Sequence, residues 1–468
     1  MSDPAQPTLL QEAVQRLLKN EALAICALDD LPVEFFPPLF KEAVTGRQTN
    51  MVRAMVAAWP FHCLSMGTLM DTSHMETLKA VLQALDFLVT HKVRPSRWKL
   101  QVLDLQRVHQ DSWDGQARAI DVSFTPQAPS QEETREQDPK CVVKWPLRVL
   151  VDFDLCGECL KEADKCLLKW ARLRKGSVQL CCRELKITAS HVYTVREVLK
   201  ILGRDCVQEL ELNSWWQQGS PDWFAHYLEQ LGNLCTLPLL GIFKKVFSGD
   251  FAPPDMKKCV TKTIPQFPHL HLNCVQNLYM NDIYSLKGNL KTLLRYLETP
   301  LETLSITHSQ LSNTDLDHLP LSVNLHQLIH LNLSGVVLSH LSTGPLHVLL
   351  EQVASTLKTL ELEGCRMKIS QLSALLPALS QCTQLTKINF YDNVISMAVL
   401  QDLFHHTANL SQLTLELYPA PWECYDGMGH VLEDRFARLC PELMDILRTI
   451  RLPKSVCFAA GACFVCYD

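Results

Sequence analysis

The sequence predicts an α/β repeat protein, with parallel strands on the concave side of a horseshoe and helices on its convex side. Three observations predict it. A phrase of the form LxxLxL begins at Leu301, Leu328, Leu357, Leu385 and Leu410. Those starts lie 27, 29, 28 and 25 residues apart, within the period of about 20–29 residues that marks a leucine-rich repeat. Between the phrases, leucines recur three and four apart, as at Leu372, Leu375, Leu376 and Leu379, which is helical spacing.

Alternate residues of a strand point to one side, so the leucines of LxL enclose a core with the apolar stripe of the following helix. No single repeat can bury that core alone, so neighbours stack. The phrase also runs backwards through Val275, Leu234 and Val207, and it appears early at Leu100-Gln-Val-Leu103-Asp-Leu105.

From the N-terminus, residues 8–92 read as helices. Leu9, Leu10, Ala13, Leu17 and Leu18 fall at helical spacing. In the stretch from Leu31 to Leu39, Pro32 suits a first helical turn capped by Asp29 or Asp30, and Pro37-Pro38 are expected to limit or break that helix. Met51 to Trp59 is amphipathic and stops at Pro60, and a further helix is expected over 75–88. Residues 1–97 thus read as a helical region and 98–468 as the repeats. Strand signals resume at Leu147 and Val178, with a helix between them over about 159–174. Two inserts interrupt the repeats: a polar one over about 112–142, whose stretch 121–140 has too few apolar residues to order itself, and an irregular one over about 241–268. Ser455 to Tyr467 reads as a terminal strand or hairpin capping the last repeat.

With 468 residues, 47% of them hydrophobic, the chain can bury a large core. A net charge of −6 gives no compositional support for nucleic-acid binding. No apolar run of about 18 residues is present to span a membrane. Residues 1–7 lack the basic and apolar regions of a secretory signal. The 19 cysteines are therefore expected as reduced thiols in cytoplasm or nucleus, mostly packed in the core as at Cys365 and Cys382. Cys156-Gly-Glu-Cys159 with Cys166, and Cys463-Phe-Val-Cys466 with Cys457, have metal-ligand spacing, but neither has an evident fourth ligand, and no metal or other cofactor is expected. Leu290-Lys-Thr-Leu293-Leu294 and two similar LxxLL stretches could dock in a coregulator groove, but their place in the repeat makes them core leucines. No nucleophile elbow, phosphate-binding loop or HExxH motif is present, so the chain reads as a non-enzyme.

Several segments together resemble the PRAME family of leucine-rich-repeat proteins. They are Glu21-Ala-Leu-Ala-Ile25, Leu31-Pro-Val-Glu-Phe-Phe-Pro-Pro-Leu-Phe40, Ala54-Met-Val-Ala-Ala-Trp59-Pro-Phe-His-Cys63, Arg94-Pro-Ser-Arg-Trp98, Pro300-Leu-Glu-Thr-Leu304 and Leu417-Tyr-Pro-Ala-Pro-Trp-Glu-Cys-Tyr425. They span essentially the whole chain, in the family's order. The resemblance implies a substrate-recognition adaptor of a cullin-RING E3 ubiquitin ligase, with elongin and a cullin of the cullin-2 type as partners at the N-terminus and a substrate protein on the repeats. Leu31, Pro32, Phe35 and Leu39 match the cullin-box pattern. Leu17 and Ile25 match the elongin box, but Glu21 stands where the pattern has Cys. Read without the resemblance, residues 31–39 are a helix that caps the first repeat. The other function class is an interaction scaffold without a ligase, such as a transcriptional corepressor.

With the leucines inward, the third, fifth and seventh residues of LxxLxLx face outward. That puts Glu209, Glu211, Tyr279, Asn332, Glu361, Glu363, Asn389 and Tyr391 on the concave face, followed by Gln412, Thr414 and Glu416 from the last phrase. Repeat proteins bind partners on this surface. The aromatics suit hot spots, and Glu361 with Glu363 points to a partner of basic character.

Overall fold

The computed structural model describes residues 9–67, 74–90, 97–106, 146–156, 160–188, 192–213, 222–240, 272–283, 286–461 and 463–467. The expected inserts over about 112–142, including 121–140, and over about 241–268 lie outside the described residues, as does Cys159. Contacts divide the chain into two compact units, Met1–Leu185 with Ser190–Val207, and Lys186–Ala189 with Gln208–Asp468.

The first unit opens with the helices Leu9–Leu18, Glu21–Cys26, Phe36–Thr45, Thr49–Ala57 and Met75–Thr90. Pro32 is extended and precedes a single 3-10 turn, Val33–Phe35. Pro37 and Pro38 then occupy the first turn of Phe36–Thr45. A first turn has no intrahelical acceptor for its N–H groups, so two prolines start the helix they were expected to limit. Trp59 centres the helical core, with ring centroids 6.0 Å from Phe36 and 5.2 Å from Phe40. Its Nε1 donates to the Cys63 carbonyl at 2.9 Å. There the chain enters a parallel sheet of β1 (Cys63–Ser65), β2 (Val102–Asp104), β3 (Leu147–Leu150) and, after β4 (Phe153–Cys156), β5 (Val178–Cys181), in the order β1-β2-β3-β5. Leu64, Leu103, Val149 and Leu180 align across it and are buried. β6 (Glu184–Thr188) is divided between the units after Leu185, and the chain returns to the first unit from Ser190 to Val207 before continuing in the second at Gln208.

The second unit holds β7 (Glu209–Asn213), β8 (Thr236–Leu240), β9 (Asn277–Asn281), β10 (Thr303–Thr307), β11 (His330–Asn332), β12 (Thr359–Glu361), β13 (Lys387–Asn389), β14 (Leu415–Pro419), β15 (Ser455–Ala460) and β16 (Cys463–Tyr467). They lie side by side in chain order, parallel except for the antiparallel hairpin β15–β16. Helices join successive strands, among them Gly344–Gln352, Ile369–Leu379 and Met397–His406. The chain is thus a mixed α/β protein built on parallel sheet. The LxxLL leucines, such as Leu290, Leu293 and Leu294, are buried.

Polar side chains inside the repeats serve backbone groups that a helix or strand leaves over. Buried Asp315 accepts from Ser312 N at 2.8 Å in its own helix and from Gly288 N at 2.7 Å in the repeat before. Asn393 donates to the carbonyls of Leu362 and Phe390, and the thiol of Cys365 takes the equivalent place by donating to Leu333 O. Just after each of β9 to β13 the chain turns through a left-handed residue: Asp282, His308, Gly335, Gly364 and Asp392. At Gly335 a Cβ would lie 2.2 Å from Nδ1 of the exposed His308, so a side chain there would have to displace that imidazole as well as adopt a left-handed backbone.

The last repeat departs from its expected frame. Ile388 of β13 aligns with Glu416 of β14, and Glu416 with Val456 of β15. The phrase that folds is therefore Leu413-x-x-Glu416-x-Tyr418, 28 residues after Leu385, in place of the one starting at Leu410. Glu416, expected outward, points inward and is 0% exposed, while Leu415 and Leu417 face outward. Arg451 makes this tolerable: its guanidinium pairs with both Glu416 oxygens, the Nη1–Oε1 contact being 2.6 Å, and the Tyr418 hydroxyl donates to Glu416 at 2.7 Å. Phe390, Phe404 and Phe458 pack around Tyr418. Cys457 and Cys466 lie directly opposite in the terminal hairpin and are joined by a disulfide, where reduced thiols were expected.

Candidate functional site

The candidate N-terminal site is built on two short helices and a turn. Leu17, Ile25, Leu31 and Phe35 are half-buried and Pro32 is exposed, whereas Leu39 is wholly buried and serves the unit's own core. Glu21 has a structural duty, because its carboxylate accepts from Met51 N at 2.9 Å at the start of the helix Thr49–Ala57. That accounts for a Glu where the pattern has Cys. Between Leu17 and Leu39, the exposed large apolar residues are Leu23 and Val33, which the pattern did not single out, at 63% and 37%. The turn is held from a distance: Arg97 donates to the carbonyls of Leu28 at 2.6 Å and Leu31 at 2.8 Å, and lies over the Phe36 ring. Arg97 lies within the Arg94-to-Trp98 segment of the resemblance, but its partners are 66 and 69 residues away and no local pattern reveals them.

The second candidate site is the sheet face of the second unit opposite the buried leucines. Strand register puts Glu211, Pro238, Tyr279, Ser305, Asn332, Glu361, Asn389 and Leu417 in one row across β7 to β14. Tyr279 is 38% exposed, Glu209, Glu211, Asn332 and Glu361 are half-buried, and Asn389 is buried among its neighbours. The polar groups pair across strands. Lys387 meets Glu361 at 2.8 Å, Asn389 donates to Glu363 at 2.9 Å, Lys186 meets Glu211 at 3.2 Å, and His330 shares a hydrogen bond with Thr359. Lys387 thus offsets the charge of Glu361, leaving Glu363 as the exposed acid of the pair. Burial pushes the His330 imidazole below its ordinary range, so at neutral pH it is an uncharged donor and acceptor. The Tyr391 hydroxyl is buried without a hydrogen-bond partner among the described residues, and burial beside Glu363 pushes it up to about 12. It keeps its proton at neutral pH. Beyond β13 the row turns apolar, with Leu415, Leu417 and Pro419 on β14 and Phe464 of β16 63% exposed.

Among the described residues no group of three or more His, Cys, Asp or Glu side chains is placed to hold a metal. No helix described is long and apolar enough to cross a membrane. Both candidate sites are surfaces suited to macromolecules.

Two family models cover most of the chain, the PRAME N-terminal domain over residues 6–113 and the PRAME C-terminal domain over residues 147–468. The human protein PRAME family member 12 is 44% identical over 467 residues, covering 100% of this chain and 95% of its own length. Human PRAME family member 8 is 43% identical, covering 100% of this chain and 97% of its own length. Mouse Oogenesin-3 is 42% identical, with coverage of 98% and 91%. Among solved structures, a chain in the yeast Rad7 and Elc1 complex aligns with a TM-score of 0.38 and 13% identity, covering 88% of this chain and 94% of that one. On the two domain models and the near full-length identity to its relatives, the chain belongs to the PRAME family.

Proposed function

We propose that this protein is a substrate-recognition adaptor of a cullin-RING ubiquitin ligase of the cullin-2 type. In this reading the N-terminal helices dock on the elongin–cullin machinery, and the outer sheet face of the second unit, the concave side of a horseshoe, holds the target protein. The protein supplies geometry, and the transfer chemistry belongs to the ligase. The observation that carries the reading is the pair of solvent-facing apolar side chains Leu23 and Val33 beside half-buried Leu31 and Phe35, in the segment where the family resemblance has its docking boxes. A helix that only capped the first repeat would turn those side chains inward.

The test is co-purification from cells. Leu23→Asp with Val33→Asp places charge in an apolar contact, which costs several kcal/mol when unpaired, on the order of polar burial. Both side chains are exposed, so the fold keeps its melting temperature. Cullin and elongin are expected to be lost from the variant and retained by the wild type. Cullin bound equally to both, or to neither, overturns the reading.

A further inference from the structure

The second unit closes on a hairpin whose cross-link is open to solvent at one end. β15 and β16 pair antiparallel, with Val456 opposite Tyr467, Cys457 opposite Cys466 and Phe458 opposite Val465. The Cα atoms of the bonded Cys457 and Cys466 are 4.1 Å apart. That is the close spacing of a pair that exchanges no ladder hydrogen bonds, so the bonds fall on the pairs to either side. The ladder therefore holds the two cysteines face to face from both flanks, joined or not. Alternation puts Cys457, Phe464 and Cys466 on the outer face, in line with Leu417 and Pro419 of β14, and turns Cys463, Val465 and Tyr467 to the other side. The two sulfurs differ in access: Cys457 is 4% exposed, whereas Cys466 is an exposed residue.

β16 depends on that cross-link more than any strand inside the sheet would. It stands at the end of the strand order and pairs with β15 alone among the described residues. Its inner side covers part of the core. The Tyr467 ring lies 6.3 Å from that of Phe458, which is 0% exposed, and Arg448 of the helix Glu433–Ile450 lies over the Tyr467 ring at 5.9 Å. A strand of five residues at the end of a sheet, held by one ladder, frays readily.

We propose that Cys457 and Cys466 form a reversible thiol–disulfide exchange site for small-molecule disulfides of the glutathione class, with Cys466 as the sulfur that exchanges and Cys457 as the one that closes the bond. In the closing direction the Cys466 thiolate attacks one sulfur of the small disulfide. That S–S bond breaks, one small thiolate leaves, and a mixed disulfide forms on Cys466. The Cys457 thiolate then attacks the Cys466 sulfur, the protein S–S bond forms, the mixed bond breaks and the second small thiol leaves. Two protein thiols are oxidised and one small disulfide is reduced to two thiols. Two small thiols run the sequence backwards, the first attacking at Cys466 because that sulfur is the accessible one. Closing pins β16 over Phe458 and sets Phe464 beside the apolar end of the outer row; opening leaves the strand to its single ladder.

The other cysteines sharpen the assignment. Cys463 lies on the same strand but turns to the opposite side, so it does not compete with Cys466 for Cys457. Cys424 and Cys440 are 0% exposed and closed to either reagent. Cys26 is exposed but has no disulfide partner among the described residues, so it can take a small thiol and cannot resolve it.

The experiment equilibrates the folded full-length chain in buffers of reduced and oxidised glutathione, traps free thiols by alkylation and maps each cysteine by mass spectrometry. Cys457 and Cys466 are expected to oxidise together, with a half-point that follows the square of reduced glutathione over oxidised glutathione. Cys26 should hold glutathione itself, following the simple ratio. In Cys457→Ser, glutathione should accumulate on Cys466, since nothing displaces it. Hydrogen exchange on the wild type reads the strand without any substitution: the Val465 and Tyr467 amides should exchange at least about tenfold faster when the bond is open, as local opening predicts. A bond that reduced glutathione leaves closed in the folded chain, glutathione that settles on Cys466 of the wild type, no glutathione on Cys466 in Cys457→Ser, or equal amide exchange in the two states overturns the proposal.

Discussion

Two carboxylate–cation pairs stand on opposite faces of one sheet, two strands apart. Glu361 and Lys387 join β12 to β13 on the outer face at 2.8 Å, with side chains 23% and 31% exposed. Glu416 and Arg451 close beneath β14, with side chains 0% and 9% exposed. The chemistry is nearly the same and the energetics are not. Water screens the outer pair, so it contributes about 0–1 kcal/mol. The inner pair has lost its hydration. Its attraction must first offset desolvation, and removing one member strands a charge at a cost of about 3–5 kcal/mol. What separates a screened pair from a desolvated one here is the side of the strand it stands on.

The sharpest way to break this comparison is Glu416→Leu. It restores the residue type that the other strands have at this position, yet it is expected to destabilise the protein by about 3–5 kcal/mol because Arg451 is left buried alone. Adding Arg451→Met should recover that loss or exceed wild type, since a buried ion pair replaced by packed apolar groups is often neutral or stabilising. Urea melts read both. A single variant within about 1 kcal/mol of wild type would show that the pair is hydrated after all. Asn393→Ala sharpens the comparison with a neutral group on the same inner side. It leaves the Leu362 and Phe390 carbonyls without their donor and should cost about 1–3 kcal/mol. A null result there would show that those carbonyls find other partners. Smallest in stability is Glu361→Gln on the outer face, expected to shift melting by less than about 1 kcal/mol. Its effect belongs to binding: partner affinity measured by calorimetry should change while the fold does not. Lost stability with unchanged affinity would reverse the roles given to the two faces.

Much of this was legible because strand alternation has a period of two, so one correct leucine fixes the direction of its neighbours. From Val207 to Phe390 the phrase puts the leucine positions inward and Glu209, Tyr279, Glu361 and Tyr391 outward, as the structure does. The same rule failed at Leu410, where two overlapping phrases compete and the one richer in leucine was the wrong one. Its spacing of 25 residues against 27 to 29 elsewhere was the available signal. An inward Glu is readable only together with Arg451, 35 residues on. The candidate N-terminal site was half legible for a similar reason. The box pattern located the segment, but Glu21 capping another helix, Arg97 clasping the turn and Leu39 in the core are long-range facts.

The inward Glu416 also sets an order of assembly. Arg451 immediately follows the helix Glu433–Ile450, and until that helix has formed and delivered it, docking β14 against β13 would bury a bare carboxylate. β14 therefore waits for residues synthesised after it, and β13 stays an open edge in the interval. A nascent chain released before Arg451 would expose that edge, and with it a surface that invites pairing with other chains. The ion pair makes completion of the chain a condition for sealing the sheet.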